Sequence, residues 1–287
     1  MTLHEILTAA RDRLVAAGIA PEEAAIDVDL YARTILGWDR ARLLSEHRSP
    51  PPAALEPRFS QFIERRMRHE PSAYIIGSRE FWGLAFDVTP AVLIPRPETE
   101  FIVEESLALL RPIAGPRIAD IGTGSGNIAV SLAHERRDAH VIATDVSGDA
   151  LAVALRNAQH HGVADRIEFV TASYLGGVER DFDLIAANPP YVRDRDRNAL
   201  GRPVRHEPEV ALFGGDSGLR DIAGVLDTAG AKLRPGGWLV MEFGFGQEDD
   251  VRTLIDARPA LRFERFRADL QGLARTAIIQ RSAQRTD

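Results

Sequence analysis

The 287-residue chain has no cysteine, which excludes a disulfide framework, a thiol nucleophile and a thiolate-bound metal. Lysine is almost missing: Lys232 stands alone among abundant arginines, a coding bias with no evident chemical use. The N-terminal stretch MTLHEILTAARDRL lacks an unbroken apolar core; its regular charges suit an amphipathic helix and neither a signal peptide nor a membrane span. The expected compartment is the cytoplasm, and no membrane partner is expected. A basic excess is lacking too: the net charge of −7 argues against a duplex-DNA binder, although local basic patches remain compatible with it. What is present, 45% hydrophobic residues over a length comfortable for two domains, is enough for a substantial core.

The first seventy or so residues read as short helices. Thr2 and Glu5 have capping-box spacing ahead of Ile6, Leu7 and Leu14, and Gly18 suits that helix's end. Pro21-Glu22-Glu23 resembles a first helical turn, with Val28, Tyr31, Ile35 and Leu36 forming an apolar stripe before Gly37. A short helix over about 40–44 and a longer one over about 53–68, with Phe59, Phe62, Ile63 and Met67 inward, complete a small bundle assigned to 1–72. From Ala73 the texture changes. Segments 73–77 and 81–88 are rich in aromatic and β-branched residues and punctuated by glycine, predicting a β-hairpin linker within 73–92. Leu93-Ile94-Pro95-Arg96-Pro97-Glu98-Thr99-Glu100 then leads into a helix reaching about 110. Beyond 115, strands at 117–121, 141–144, 167–171, 182–187, 238–243, 263–268 and 275–279 are separated by helices, notably at 127–136, 149–161 and 219–233. Repeated strand–helix units imply an α/β domain over 93–287, its mainly parallel sheet covered on both faces.

Two constellations carry chemistry. Asp120-Ile121-Gly122-Thr123-Gly124-Ser125-Gly126 follows a predicted strand and opens a predicted helix, where glycines permit positive φ and close backbone approach to a ligand. Asp145 ends the next strand, placed to accept hydrogen bonds from ribose hydroxyls. Glycines alone equally mark a tight strand–helix turn; Asp145 is what makes a nucleoside ligand the better reading. The G-x-G-x-G spacing departs from the dinucleotide fingerprint, and Asp120 repels a pyrophosphate while it can help hold an ammonium group through the loop. Both favour S-adenosylmethionine.

The second constellation, Asn188-Pro189-Pro190-Tyr191, ends the apolar run 182–187 and indicates the acceptor. An amide or exocyclic amino nitrogen is a poor nucleophile because its lone pair is delocalised, so a site must orient it in line with the S–CH3 bond. The side-chain oxygen of Asn188 and the carbonyl of Pro189 can accept its two N–H bonds, with the proline φ making that carbonyl rigid. Tyr191 can pack over the planar group. No strong base is required, since the nitrogen becomes acidic only as its bond to carbon forms. A plain Pro-Pro turn capped by Asn188 is the bland alternative, weakened by the nucleoside turn upstream.

Other residues read more modestly. His160 and His161 adjoin at a helix end, where imidazoles suit the dipole and do not converge on a metal; no metal site is expected. Arg193, Arg195 and Arg197 alternate with Asp194 and Asp196 in what reads as a solvated loop. Glu98 and Glu100 fit either a cofactor pocket or the start of a helix.

The chain closely resembles the HemK/PrmC family, the peptide chain release factor N5-glutamine methyltransferases. The shared stretches are Glu70–Gly77, Glu80-Phe81-Trp82-Gly83-Leu84, Leu93–Glu100, the glycine turn, Asn188–Tyr191, Glu207-Pro208 with Ala211-Leu212, and Glu242-Phe243-Gly244. The resemblance implies a helical substrate-recognition domain (1–72), a β-hairpin linker (73–92) and a Rossmann-like S-adenosylmethionine-dependent methyltransferase domain (93–287). It implies methylation of the glutamine in the Gly-Gly-Gln loop of release factors by a monomer that makes no direct nucleic-acid contact. Carried over by position, Gly122, Thr123, Gly124, Ser125, Gly126 and Asp145 bind the cofactor, and Asn188, Pro189, Pro190 and Tyr191 bind the glutamine, with Asn188 also near the methyl donor. An aromatic residue is expected against the cofactor after the third strand, where this chain has Ser173-Tyr174 and either residue can fill the place. Two other readings are N6 methylation of adenine in DNA or RNA, against which the acidic balance weighs, and a noncatalytic module docking on translation factors, which leaves the intact tetrapeptide unexplained.

Overall fold

Thr2 Oγ1 accepts from Glu5 N at 3.3 Å while Thr2 N donates to Glu5 Oε2 at 2.8 Å, the reciprocal cap expected from the sequence, and α1 (Leu3–Ala16) starts there. This computed structural model describes residues 1–283. α2 (Pro21–Leu36) opens on Pro21 and closes on a left-handed Gly37; α3 (Arg40–Ser45) is capped by Asp39. α4 (Arg58–Met67) begins later than the predicted 53, because Pro57 can cap a helix but cannot sit inside one.

A second correction concerns 73–77, expected as a strand: Ser72–Ile76 is a short helix, α5, ended by Gly77 at φ 82°. Its Tyr74 and Ile75 are buried, and burial is what their β propensity mostly measures; a helix packed against α2 and α4 supplies it as well as a pleated surface does. The hairpin itself is β1 (Ser78–Phe81) and β2 (Leu84–Asp87), turned through Trp82 and Gly83 at φ 53° and 69°, the left-handed pair of a two-residue hairpin loop.

Met1–Ser78 together with Gly201–His206 form one compact unit, cored by Leu3, Leu14, Tyr31, Phe59 and Ile63. Inside it Arg66 Nε donates to Asp27 Oδ2 at 2.6 Å, and Asp27 Oδ1 accepts from Ser72 Oγ at 2.5 Å. The pair ties α2 and α4 to the start of α5.

The remaining described residues form the second unit. α6 (Glu100–Leu110) precedes β3 (Arg117–Ile121), α7 (Asn127–Glu135), β4 (His140–Asp145), α8 (Gly148–His160), β5 (Ile167–Thr171) and β6 (Phe182–Ala187). α9 (Arg220–Lys232), β7 (Leu233–Glu242), α10 (Glu248–Asp256), β8 (Leu261–Ala268) and β9 (Ala274–Arg281) complete it. The seven strands lie in the order β5-β4-β3-β6-β7-β9-β8; the first five are mutually parallel, and β9 runs against both β7 and β8. Period-two alternation sends Leu184 and Ala186 into a core with α6, α7 and the hairpin, and Ile185 and Ala187 into a second core with α9 and α10. β6 is therefore buried on both faces, as a central parallel strand must be.

The Arg66 and Asp27 side chains are 2% and 6% exposed. Truncating Arg66 to alanine strands a buried carboxylate and is expected to cost about 3–5 kcal/mol. Urea denaturation followed on Arg66→Ala should show the helical unit unfolding at lower denaturant; an unchanged midpoint would contradict the assignment.

Candidate active site

β3 registers with β4 on one side and β6 on the other, so that Ile121 lies level with Thr144 and with Ala187. The residues that follow, Gly122, Asp145 and Asn188, consequently meet beyond the carboxyl ends of three adjacent strands. The chain passes from β3 to β4 on one side and later returns on the other at β6, the switch point where α/β sheets leave a crevice. A cavity of about 180 Å³ opens there.

The glycine turn is held by main-chain bonds. Gly122 N and Thr123 N both donate to Thr144 O at 2.9 Å, and Gly124 N donates to Asp145 Oδ2 at 2.9 Å. Asp145 Oδ1 accepts from Ser147 N at 2.9 Å, so each carboxylate oxygen is anchored yet keeps a lone pair for a ligand hydroxyl. Gly122 and Gly124 sit at φ 71° and 55°, and a Cβ on either would meet no protein atom within 4 Å; the space beside them belongs to the cavity they line. Gly126 differs. A Cβ there would stand 3.0 Å from the Cβ of Ala154 on α8, so this glycine lets α8 approach the turn.

Asp120 is set apart from the cavity lining. Fully buried, it accepts from Thr123 Oγ1 at 2.6 Å and from Ala129 N at 3.1 Å through one oxygen, bracing the turn and the first turns of α7. Burial pushes its carboxyl up to about 7, against the pull of those two hydrogen bonds. Asn157 braces the turn from the other side: Nδ2 donates to Ser125 O at 2.8 Å and to Asp87 O at 3.0 Å, while Oδ1 accepts from Asp87 N at 2.7 Å. One buried amide thus joins the hairpin to the glycine turn.

Asn188, Pro189 and Pro190 line the same cavity as Thr123, Ser125, Asp145, Ser173 and Tyr174. Asn188 Nδ2 donates to Thr99 Oγ1 at 3.0 Å, and Thr99 Oγ1 donates to Glu242 Oε2 at 2.7 Å. The Tyr191 hydroxyl donates to Glu242 Oε1 at 3.0 Å. The physical reason is Glu242 itself, a buried carboxylate that requires donors. Gln247 fixes the tetrapeptide from behind, donating to Tyr191 O at 3.2 Å while accepting from Gly244 N at 2.8 Å. Residue type and spacing assign no role to Asn157 or Gln247, and none to Thr99 or Glu242 beyond their place in stretches that carry the family resemblance. One signal was visible: Glu242 closes a strand otherwise apolar from Trp238 to Met241, and a carboxylate in a buried strand needs a reason.

Residues 5–77 match the PrmC N-terminal domain family and residues 101–209 the methyltransferase small domain family. A release factor glutamine methyltransferase of Bradyrhizobium diazoefficiens is 41% identical over 258 residues, 88% of this chain and 87% of that protein. Another, from Moorella thermoacetica, is 41% identical over 286 residues, 98% of this chain and 99% of that protein. The chain belongs to the release factor glutamine methyltransferase family. Solved structures share the fold of this family member: the hMettl16 catalytic domain bound to a MAT2A 3′UTR hairpin gives a TM-score of 0.57 at 16% identity, covering 80% of this chain and 81% of that one. A Pyrococcus furiosus methyltransferase gives 0.52 at 19% identity, covering 71% and 91%.

The raised carboxyl of Asp120 has a consequence for stability. A folded-state pKa above the ordinary 3.8 means that its stabilising contribution is complete below about 4 and is lost as pH rises through about 7. In thermal melts, acidification from pH 8 to pH 6 should raise the wild-type midpoint relative to Asp120→Asn, which lacks the titrating group; parallel curves would show that Asp120 is not the source.

Proposed function

We propose that the protein transfers the methyl group of S-adenosylmethionine to the side-chain amide nitrogen (N5) of the glutamine in the Gly-Gly-Gln loop of peptide chain release factors. When bound, S-adenosylmethionine supplies an electrophilic methyl carbon on a sulfonium. The residues present fit such a cofactor: two anchored carboxylate oxygens of Asp145 would accept from a ribose diol, the left-handed turn at Gly122 and Gly124 leaves its cradle free of Cβ atoms, and exposed Val146 and the ring of Tyr174 add apolar surface to the lining.

The observation that carries the proposal is the state of Asn188. Its amino group is committed to Thr99, so its carbonyl oxygen remains as an acceptor, and among the described residues neither that oxygen nor the carbonyl of Pro189 takes a hydrogen bond. Two unfilled acceptors beside one cavity match the two N–H groups of a primary carboxamide. Accepting both turns the nitrogen lone pair out of the donor directions and lets it face the methyl carbon. The proton leaves to water once the new N–C bond has made the nitrogen acidic, so the site needs no basic side chain at the reacting atom. In this reading the helical domain (1–72) recognises the release factor, the hairpin segment (73–92) links it to the methyltransferase domain (93–287), and the protein works in the cytoplasm, where release factors act. Among the described residues no helix is long and apolar enough to cross a membrane.

Asn188→Ala should keep the affinity for S-adenosylmethionine within a few-fold of wild type while cutting turnover by orders of magnitude, since positioning can supply up to about 7–11 kcal/mol. Calorimetry and single-turnover assays on a release factor, with mass mapping of the product, separate the two effects. A methyl group found anywhere but the Gly-Gly-Gln glutamine refutes the substrate assignment.

A further inference from the structure

An asparagine amide has two faces of opposite hydrogen-bonding sense, and only one of them can serve a substrate N–H. Nothing intrinsic to Asn188 chooses between them. The choice is made behind it, through three residues drawn from distant parts of the chain: Thr99 ahead of α6, Tyr191 after β6, and Glu242 at the end of β7.

Thr99 is 2% exposed and Glu242 3% exposed, so water does not compete for their hydrogen bonds. An ionised carboxylate only accepts. Glu242 Oε2 therefore takes the one proton of Thr99 Oγ1 at 2.7 Å, and Oε1 takes that of Tyr191 at 3.0 Å. With its proton spent, Thr99 Oγ1 can only accept from its other neighbour, and it does so from Asn188 Nδ2 at 3.0 Å. A flipped Asn188 would set its carbonyl oxygen against a hydroxyl lone pair.

We infer that Thr99 and Glu242 are positioning residues that fix the donor–acceptor sense of the Asn188 amide, holding its carbonyl oxygen where it accepts an N–H of the substrate carboxamide. The inference rests on the methyl-transfer reading given above. It assigns a role to the threonine of the Arg96-Pro97-Glu98-Thr99-Glu100 run and to the carboxylate of Glu242, neither of which touches a reacting atom.

The device is pH-sensitive by construction. A protonated Glu242 can donate to Thr99, which frees the threonine proton for Asn188 and allows the wrong face inward. Burial raises the Glu242 carboxyl above its ordinary range, and Glu98 pushes the same way, whereas the hydrogen bonds from Thr99 and Tyr191 and the charge of Arg275 on β9 oppose it. The ionised form dominates above that raised value, so turnover should be fully present at higher pH and fall as pH drops through it.

The test compares Thr99→Val, Thr99→Ser and Glu242→Gln with wild type on an intact release factor. Valine matches the shape of threonine and can neither accept from Asn188 nor donate to Glu242; kcat should fall by about tenfold to a hundredfold, the scale of a misplaced positioning group, with cofactor affinity little changed and a somewhat lower thermal midpoint, because buried Glu242 Oε2 loses its donor. Serine restores the hydroxyl and should bring kcat back to within about threefold of wild type. Glu242→Gln carries both a donor and an acceptor, so its kcat should be low and should lack the acid limb seen in the wild-type profile. Neutron diffraction on wild type and Thr99→Val reports the Asn188 amide orientation without reference to turnover. A wild-type amide with its oxygen toward Thr99, or Thr99→Val with wild-type kcat, overturns the inference. An inactive wild-type enzyme whose amide is oriented as described would instead fault the substrate reading and leave the orienting role standing.

Discussion

Main-chain pairing between β3 and its two parallel neighbours decides where everything else can be. The ladder fixes Ile121 level with Thr144 and Ala187, and so delivers Gly122, Asp145 and Asn188 to a common level from positions 23 and 43 residues apart in the chain. A slip of one residue along any of these strands would send each buried side chain to the opposite face, exchanging Ile185 and Ala187 with Leu184 and Ala186 between two unlike cores. Because both faces of β6 are filled, the register has no cheap alternative. The precision of the site is thus inherited from hydrophobic packing of the strands that carry it, and the polar residues refine it.

That refinement is made from underneath. Asp120, Asn157, Thr99 and Glu242 are all buried, and each bonds a residue that borders the cavity: Thr123, Ser125, Asn188 and Thr99 in turn. Leaving one such group unpaired costs roughly 1–3 kcal/mol, while a satisfied one adds little net stability, so these residues weakly favour the fold but strongly select one geometry of it. The division is chemical. Around the glycine turn the buried groups accept from or donate to main chain, which suits a surface that must meet a ligand through its backbone. Behind Asn188 they set the sense of a side-chain amide, which suits a surface that must tell a nitrogen from an oxygen.

Much of this was legible in the sequence where local chemistry speaks alone. The capping box at Thr2 and Glu5, the proline at the head of α2, six of the sheet's seven strands to within a residue or two, and the motifs that meet at the cavity all follow from residue type and spacing. The failures have one cause in common, namely that a residue's role was set by a neighbour remote in sequence. Tyr74 and Ile75 look like strand residues until α2 and α4 offer them burial as a helix. The close approach of α8 to Gly126, and not to Gly122 or Gly124, is likewise set by a remote neighbour. The bond from the Tyr191 hydroxyl to a buried carboxylate 51 residues on is a remote relation of the same kind, which residue type and spacing do not show. Thr99 was passed over in favour of the charges on either side, one of which, Glu100, in fact accepts from Trp82 N at 2.9 Å in the hairpin turn.

The choice between Ser173 and Tyr174 as the wall against a nucleoside base turns on the same kind of remote relation. Tyr174 adopts φ 51°, a left-handed conformation that costs a non-glycine residue about 1–3 kcal/mol unless its surroundings hold it there. Two contacts do so. Its hydroxyl donates to Asp221 Oδ1 at 3.1 Å, and its ring lies across α9 at Gly224, where a Cβ would come within 2.2 Å of it. Ser173 is exposed, and its carbonyl is occupied by Gly176 N at 3.0 Å. A backbone bent against its preference lets one flat, anchored ring border the cavity, and it gives Gly224, a helix-interior glycine otherwise unfavourable by nearly 1 kcal/mol, a reason to be there.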